Sequence, residues 1–459
     1  MAELDSLNGQ IKNSRSKVFR KLFVKRRDSI TGLHETTWQE LSEHVIKWGR
    51  VESKVDANRI NQYTYSNVGL EVDNSDGKFN ENTNQSSFWY GYESLQRSLI
   101  KIEAGFLYQA KGSDGLWVNT EYPTTSEIFH GIITGNINYS NEIKVKIPIA
   151  PLLEVFRQFP ADRMNYTLAL TDASGFFVDV RDQQDSAGSA IFSTFFGNTS
   201  TQWDLTSVPA LGPFYLELTN DSTTSNAVQG ATLWDIMQKI AQTVNCVVFI
   251  GRDGLFTIRQ RSTLLASQST TFSFFGLGNW DNTHGRNIKK INFYGDKVTK
   301  FYPRVSVHHD EGTDKTSYEI KREQFAVTAT SNLWLHGERT LDVENTFVQN
   351  TAQAIDIASA LASEFGTLRK EIDLTTSFVP HLSVNDKVEI TYDAGTFNVN
   401  NLWDQNNWAD SIGAADAVGD LIWDPDTSSP FTLNQDVFRI IKVSVNLDTF
   451  ECKFTGRAE

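Results

Sequence analysis

Two cysteines, three methionines and ten prolines in 459 residues set the first limits on this chain. Two thiols cannot build the disulfide framework of a small secreted scaffold. Cys246 and Cys452 both fall inside apolar, strand-like runs, where they read as small buried hydrophobes. No run approaches the ~20 apolar residues that a membrane-spanning helix needs. The start, Met1-Ala-Glu-Leu-Asp-Ser6, lacks the basic-then-apolar layout of a secretory signal, so folding in a reducing cytoplasm is expected. Helical heptads and collagen-like glycine periods are missing as well. Basic charge is in deficit: 42 Lys and Arg against 56 Asp and Glu leave a formal charge of −14, which argues against a grip on nucleic-acid phosphate. What the chain does have is aromatic bulk. Its 30 Phe, 13 Tyr and 11 Trp favour strands and supply core material. The length predicts roughly two to four domains.

Two distant stretches share one plan. The first runs Leu99-Ile-Lys-Ile-Glu-Ala-Gly105, a loop, Ile128-Phe-His-Gly-Ile-Ile-Thr-Gly-Asn-Ile137, a turn, and Glu142-Ile-Lys-Val-Lys-Ile147. The second runs Lys387-Val-Glu-Ile-Thr-Tyr-Asp-Ala-Gly395, a longer loop, Val437-Phe-Arg-Ile-Ile-Lys-Val-Ser-Val445, a turn, and Phe450-Glu-Cys-Lys-Phe454. Each is a strand, an insertion and a closing hairpin with alternating apolar residues. Alternating hairpins look alike in any β protein, so self-similarity leaves duplication and coincidence both open.

Charge is unevenly spread. Between Asp5 and Asp28 there is no acid, while Lys12, Arg15, Lys17, Arg20, Lys21, Lys25, Arg26 and Arg27 cluster. From Val388 to Phe438 there is no base, while Asp393, Asp404, Asp410, Asp416, Asp420, Asp424 and Asp426 accumulate. The two read either as solvated segments or as a basic arm and an acidic loop that pair between subunits.

Along the chain, residues 17–24 alternate as a strand. A short helix is predicted over 42–48, capped by Ser42 and ended by Gly49. Residues 61–72 read as a strand pair, closed by the turn Asp73-Asn-Ser-Asp-Gly77. That turn superficially resembles a calcium loop. Its glycine is out of register and the final Glu is missing, so it reads as turn chemistry. Residues 165–220 predict short strands, with a mobile surface loop over 182–201. The clearest helix spans 232–245, with Leu233, Ile236, Met237, Ile240, Ala241 and Val244 on one face, Thr232 as cap and Asp235 three residues on. A hairpin over 246–259 follows. Residues 288–326 open a new β region. A second helix, 351–365, takes Asn350 as cap, Gln353 as partner and Gly366 as end. The insertion 398–429 carries Trp403, Trp408 and Trp423 among aspartates, which either fold back or meet a partner.

The search for chemistry comes up empty. The chain has no nucleophile elbow, no His-Glu-x-x-His, no phosphate loop and no cysteine pair at zinc spacing. His308-His309-Asp310 is the best metal-like triplet, but neighbours on a strand point to opposite faces. His34, His44, His130, His284, His336 and His381 stand singly and read as structural. Paired carboxylates for glycan cleavage cannot be singled out among so many acids. No catalytic, cofactor or metal residues are assigned, and the reading is not an enzyme.

The series Ile46-Lys-Trp-Gly-Arg-Val51, Asn67-Val-Gly-Leu-Glu-Val-Asp-Asn-Ser-Asp-Gly-Lys-Phe79, Ile100-Lys-Ile-Glu-Ala-Gly-Phe106 and Phe129-His-Gly-Ile-Ile-Thr-Gly135 resembles the first barrel of tail-tip hub proteins of tailed bacteriophages. Leu233-Trp-Asp-Ile-Met-Gln-Lys-Ile-Ala241 running into Asp253-Gly-Leu-Phe256 is similar to their middle helix–hairpin domain. The helix before Asn385-Asp-Lys-Val-Glu-Ile390 and the final hairpin to Thr455-Gly-Arg457 resemble their second barrel. Two features depart from the family: Asn385 stands where many members have glycine, and the acidic Trp insertion is unusual. The resemblance implies a β-rich α+β fold with two similar tube-type β-barrels and an intervening α/β domain. It places them as 1–157 (arm and first barrel), 158–282 (middle domain) and 283–459 (second barrel). It further implies a homotrimer forming a pseudo-sixfold ring at the virion's tail tip or baseplate, assembled in the host cytoplasm. That ring would join the tail tube or distal tail ring to tip, fibre or spike proteins and the tape measure protein, and would line or close the DNA channel without binding nucleic acid specifically. It would have no membrane anchor, no cofactor and no downstream fibre or wall-cleaving domain. A carbohydrate-binding adhesin using the three insertion tryptophans, and a glycan-degrading enzyme, are the alternatives.

Overall fold

The computed structural model describes residues 17–28, 30–55, 62–80, 85–92, 96–111, 117–121, 125–135, 138–139, 143–161, 169–184, 191–196, 202–206, 208, 214–216, 231–250, 255–260, 270–276, 287–296, 301–309, 322–327, 339–344, 347–348, 351–366, 369–392 and 433–458. Strands dominate them, and the class is β-rich α+β. The early strands are β1 (Lys17–Lys25), β2 (Gln39–Glu40), β3 (Val45–Lys47), β4 (Arg50–Val55), β5 (Tyr63–Tyr65), β6 (Val68–Asp73), β7 (Leu99–Lys111), β8 (Trp117–Glu121), β9 (Ser126–Ile133), β10 (Asn138–Tyr139) and β11 (Lys144–Pro151). The middle supplies β12 (Ala169–Thr171), β13 (Trp203–Asp204), β14 (Phe214–Leu216), β15 (Cys246–Ile250), β16 (Phe256–Gln260) and β17 (Phe272–Phe275). The rest are β18 (Ile288–Asp296), β19 (Arg304–His309), β20 (Arg322–Val327), β21 (Thr340–Glu344), β22 (Lys370–Thr376), β23 (Lys387–Tyr392), β24 (Leu433–Asn446) and β25 (Glu451–Ala458). Three longer helices are α1 (Ala173–Asp182), α2 (Leu233–Thr243) and α3 (Thr351–Phe365).

The strands form where apolar residues alternate. On β7, Ile100, Ile102 and Ala104 are fully buried, while Lys101 and Glu103 stay half-exposed on the other face. One sheet runs β2-β1-β7-β9-β11-β6-β3, with β8 on β7 and β10 on β11. A second runs β17-β23-β24-β25-β22-β18 and takes the hairpin β4–β5 onto β24. Ranked by chain order, the six strands β1, β7, β9, β11, β6 and β3 follow one another as 1-4-5-6-3-2, and so do β17, β23, β24, β25, β22 and β18. Neighbours are antiparallel throughout both series, except that β17 lies parallel to β23 where β1 is antiparallel to β7.

Between the sheets sits a small α/β layer: β13-β16-β15 with α2 packed against it. The α2 capping box is made from both sides, Thr232 Oγ1 accepting from Asp235 N and the Asp235 carboxylate accepting from Thr232 N. One continuous core runs through both sheets and this layer, whereas α3 packs with β19 and β21 into a separate cluster.

Three expectations need correction. Residues 42–48 are not a helix: one 3-10 turn, Ser42–His44, leads straight into β3. Val45 and Lys47 pair with β6 at the sheet edge, and Ser42 Oγ accepts from Leu22 N instead of capping. Residues 61–72 hold two strands that do not pair with each other, because β5 joins β4 and β6 joins β11 and β3. Finally, 165–220 contains α1, capped by Asp172 accepting from Gly175 N at 2.6 Å, with Phe176, Phe177 and Val180 buried on one side. Within the expected surface loop, residues 191–196 carry Phe192, Phe195 and Phe196 into the core, where Phe156 stacks on Phe196 at 4.9 Å. Phenylalanine at helical spacing outweighed the small polar residues around it.

Candidate functional site

The two large sheets meet at a seam built by one crossing of the chain. Leaving the first sheet at Lys47, the backbone turns at Gly49 (φ +76°), enters the second sheet as β4, returns as β5 and resumes the first sheet as β6. A Cβ at Gly49 would sit 2.9 Å from Gly69 O, so both the turn and the close approach require glycine. On β24, residues up to Arg439 pair with β23 and residues from Lys442 to Asn446 pair with β4. The hairpin therefore continues the ladder where β23 stops, and Lys442 Nζ reaches Glu52 at 3.1 Å.

Asp448, at the turn after β24, clasps the crossing. Its carboxylate accepts from Trp48 N at 2.9 Å and from Gly49 N at 3.1 Å, and Leu447 N donates to Gly49 O at 3.0 Å. Arg20 of β1 lies 3.9 Å from Asp448 and between two rings, 4.9 Å from Trp48 and 4.8 Å from Phe450. Burial lowers the Arg20 pKa, and the Asp448 charge partly restores it. Beyond the hairpin, Tyr65 OH donates to Glu154 Oε2 at 2.9 Å, Gln238 Nε2 of α2 donates to Tyr63 O at 3.2 Å, and the Tyr63 ring packs 6.5 Å from Phe249 of β15. First sheet, second sheet and middle layer thus meet on β4 and β5, Arg50–Val55 and Tyr63–Tyr65.

A cavity of about 80 Å³ lies in the seam, lined among others by Ser53, Tyr63, Phe129, His130, Leu382 and Val443. His130 is held by Glu127, Nδ1 to Oε1 at 2.9 Å. The arrangement can transmit position and load between sheets.

The residues singled out in the sequence are scattered. His308 faces Asp342 at 3.6 Å and Ser306 at 3.3 Å, while the His309 side chain and Asp310 lie outside the described residues. His34 Nε2 bonds Arg97 O at 2.9 Å, and His44 Nε2 lies 2.8 Å from Lys78 Nζ. His381 is buried with its ring 5.4 Å from Phe272. His284, His336, the insertion 398–429 and its three tryptophans lie outside the described residues. Among the described residues, no group of three or more His, Cys, Asp or Glu could hold a metal ion. The loop Asp73–Gly77 spends its oxygens on its own backbone: Asn74 Oδ1 accepts from Phe79 N at 2.6 Å, Asp73 Oδ1 from Ser75 N at 3.0 Å and Asp76 Oδ1 from Lys78 N at 3.0 Å. Sequence reasoning missed Asp448, Arg20 and Gln238, whose partners are distant in the chain. The one local signal was Trp48-Gly49 after an apolar pair.

Both cysteines are free and fully buried, and burial pushes each thiol up to about 12. Burial likewise pushes the Tyr63 phenol up to about 12. Such groups hold their protons more tightly folded than unfolded. Their contribution is therefore complete below the unfolded values, near 9 for thiols and 10 for phenols, and is lost as pH rises through about 12. The expected result is a urea-unfolding free energy steady from pH 7 to 9 that then falls by on the order of several kcal/mol towards pH 12, the midpoint falling with it. Thiol reagent at pH 8 should label neither cysteine until urea is added. A midpoint unchanged at pH 11.5, or rapid labelling of the folded chain, would contradict the burial.

The sequence matches no protein-family model and no curated protein. In structure the chain is similar to a tail protein from Neisseria meningitidis MC58, at TM-score 0.48 and 10% identity over 96% of each chain. It is also similar to the 43 kDa tail protein of prophage MuSo2 from Shewanella oneidensis, at TM-score 0.48 and 10% identity, covering 95% of this chain and 98% of that one. Prophage tail protein gp18 from Listeria monocytogenes EGD-e follows at TM-score 0.44 and 8% identity, over 96% and 94%.

Proposed function

We propose that this chain is a structural hub of a phage tail tip or baseplate, a homotrimer in which two barrel-type sheets per chain give six similar units in one ring. The observation that carries the reading is the repeated strand order 1-4-5-6-3-2 in both large sheets, on strands whose sequences already looked alike. Two copies of one plan let a threefold ring meet a sixfold tube with equivalent contacts. The seam supports the reading in a second way: a ring element under load needs its two sheets at a fixed angle, and the crossing hairpin, the Asp448 clasp and the shared core supply that. The ordered motifs resemble those of tail-tip hubs, and the formal charge of −14 suits a duct wall that DNA must slide past without sticking. The partners in this reading are the tube or distal tail ring on one face and tip, fibre or spike proteins and the tape measure protein on the other.

Native mass measurement of the purified full chain tests it. The hub reading expects three times the 51.7 kDa chain mass at micromolar concentration, alone or with the tube protein. Monomers under both conditions would contradict it.

A further inference from the structure

The outward face of β1 alternates lysine with aromatic rings. Leu22 and Val24 point into the core at 0% exposure, which leaves Lys17, Phe19, Lys21, Phe23 and Lys25 on the opposite side. Lys101 of β7 sits opposite Phe23, its ammonium 4.9 Å from that ring, and Lys21 reaches the Phe19 ring at 5.7 Å. Lys25 and Lys101 both approach the indole of Trp38, each at 5.0 Å, and His130 meets its edge at 5.8 Å. Among the described residues the acids of this face are engaged: Glu103 with Lys101 at 2.5 Å, Glu127 with His130 at 2.9 Å, and Glu40 with Ser42 at 2.8 Å. Lys25 has no ion-pair partner among the described residues, and its pKa is lowered by burial and by the Lys101 charge. The face is a half-exposed ladder of cations and rings.

The chain itself carries the complementary chemistry. Residues 393–432 contain Asp393, Asp404, Asp410, Asp416, Asp420, Asp424 and Asp426, no Lys or Arg, and Trp403, Trp408 and Trp423 beside the aspartates. We infer that the β1 face of one subunit docks the 393–432 segment of a neighbouring copy, carboxylates onto Lys17, Lys21, Lys25 and Lys101 and indoles onto Phe19, Phe23 and Trp38. Such a contact combines charge complementarity with cation–ring and ring–ring packing. A second copy is the occupant because the trimeric hub reading supplies one. The inference rests on the hub reading for its second copy and names the contact that would close such a ring.

Zero-length carbodiimide coupling of lysine to carboxylate tests it on the full chain, in an equal mixture of isotopically heavy and light protein. Expected are mixed-isotope peptides joining Lys21, Lys25 or Lys101 to Asp404, Asp410 or Asp424, lost at least tenfold at 500 mM salt. Lys21→Glu with Lys25→Glu should weaken self-association at least tenfold. Asp404→Lys with Asp424→Lys should do the same without loss of thermal stability. Linkages confined to one isotope, or none while the oligomer persists, overturn this contact and leave the hub reading standing. Saturable binding of an oligothymidylate that competes with the linkages would reassign the face to nucleic acid. A chain that stays monomeric at every concentration overturns both.

Discussion

Asp448→Ala is expected to cost the fold about 3 kcal/mol, because two backbone donors lose a charged acceptor at once. Trp48 N and Gly49 N lie where the chain leaves one sheet for the other, and the carboxylate is their hydrogen-bond partner at 2.9 and 3.1 Å. Removing it also leaves Arg20, whose side chain is 23% exposed, without the charge that offsets its desolvation. Asp448→Asn keeps an oxygen for one of the two amides and should cost about half as much. Urea unfolding supplies the magnitudes. Hydrogen exchange supplies the location, since amides of β4 and β5 should lose protection before those of β7 and β9. Equal, sub-kilocalorie effects of both substitutions would show that the clasp does not hold the seam.

Gly131→Ala should be more damaging than its one added carbon suggests. Gly131 lies at the centre of the first sheet, opposite Ile100 on β7 and Pro151 on β11. A Cβ there would fall 2.1 Å from Ala150 O and 2.6 Å from the Phe129 ring, and the first of these is backbone that cannot swing away. A ladder forced apart at this point is expected to cost about 3 kcal/mol or more. Gly69→Ala on β6 is the control, because nothing lies within 4 Å of the added carbon. It should change stability by less than about 0.5 kcal/mol. Similar urea midpoints for the two variants would contradict the packing described for β9.

Period-two alternation made β7, β9, β11, β23, β24 and β25 legible in the sequence, since each buries one face and wets the other. The Thr232 cap and the apolar stripe of α2 were readable for the same local reason. The crossing was not. Residues 61–72 look like one hairpin, and only tertiary pairing sends β5 to β4, which itself joins a strand nearly four hundred residues away. The Trp48–Asp448 bond spans 400 positions, a separation at which a single sequence gives no sign of contact. Ser42 misled because a capping hydroxyl and a tertiary acceptor are the same chemical group, and Leu22 N claimed it. The helix α1 was overlooked because Gly and Ser around it suggested loops, while Asp172, Phe176 and Val180 carried the helical spacing. Duplication was half-legible: the strands resembled each other in sequence, but their shared order in the sheets is a property of pairing.

Electron-microscope class averages of the purified full chain test the central claim most directly. A chain that carries one sheet plan twice should give a ring of true threefold symmetry with six similar lobes around a central opening. A ring with three plain lobes, a twofold particle, or particles no larger than one chain would contradict it.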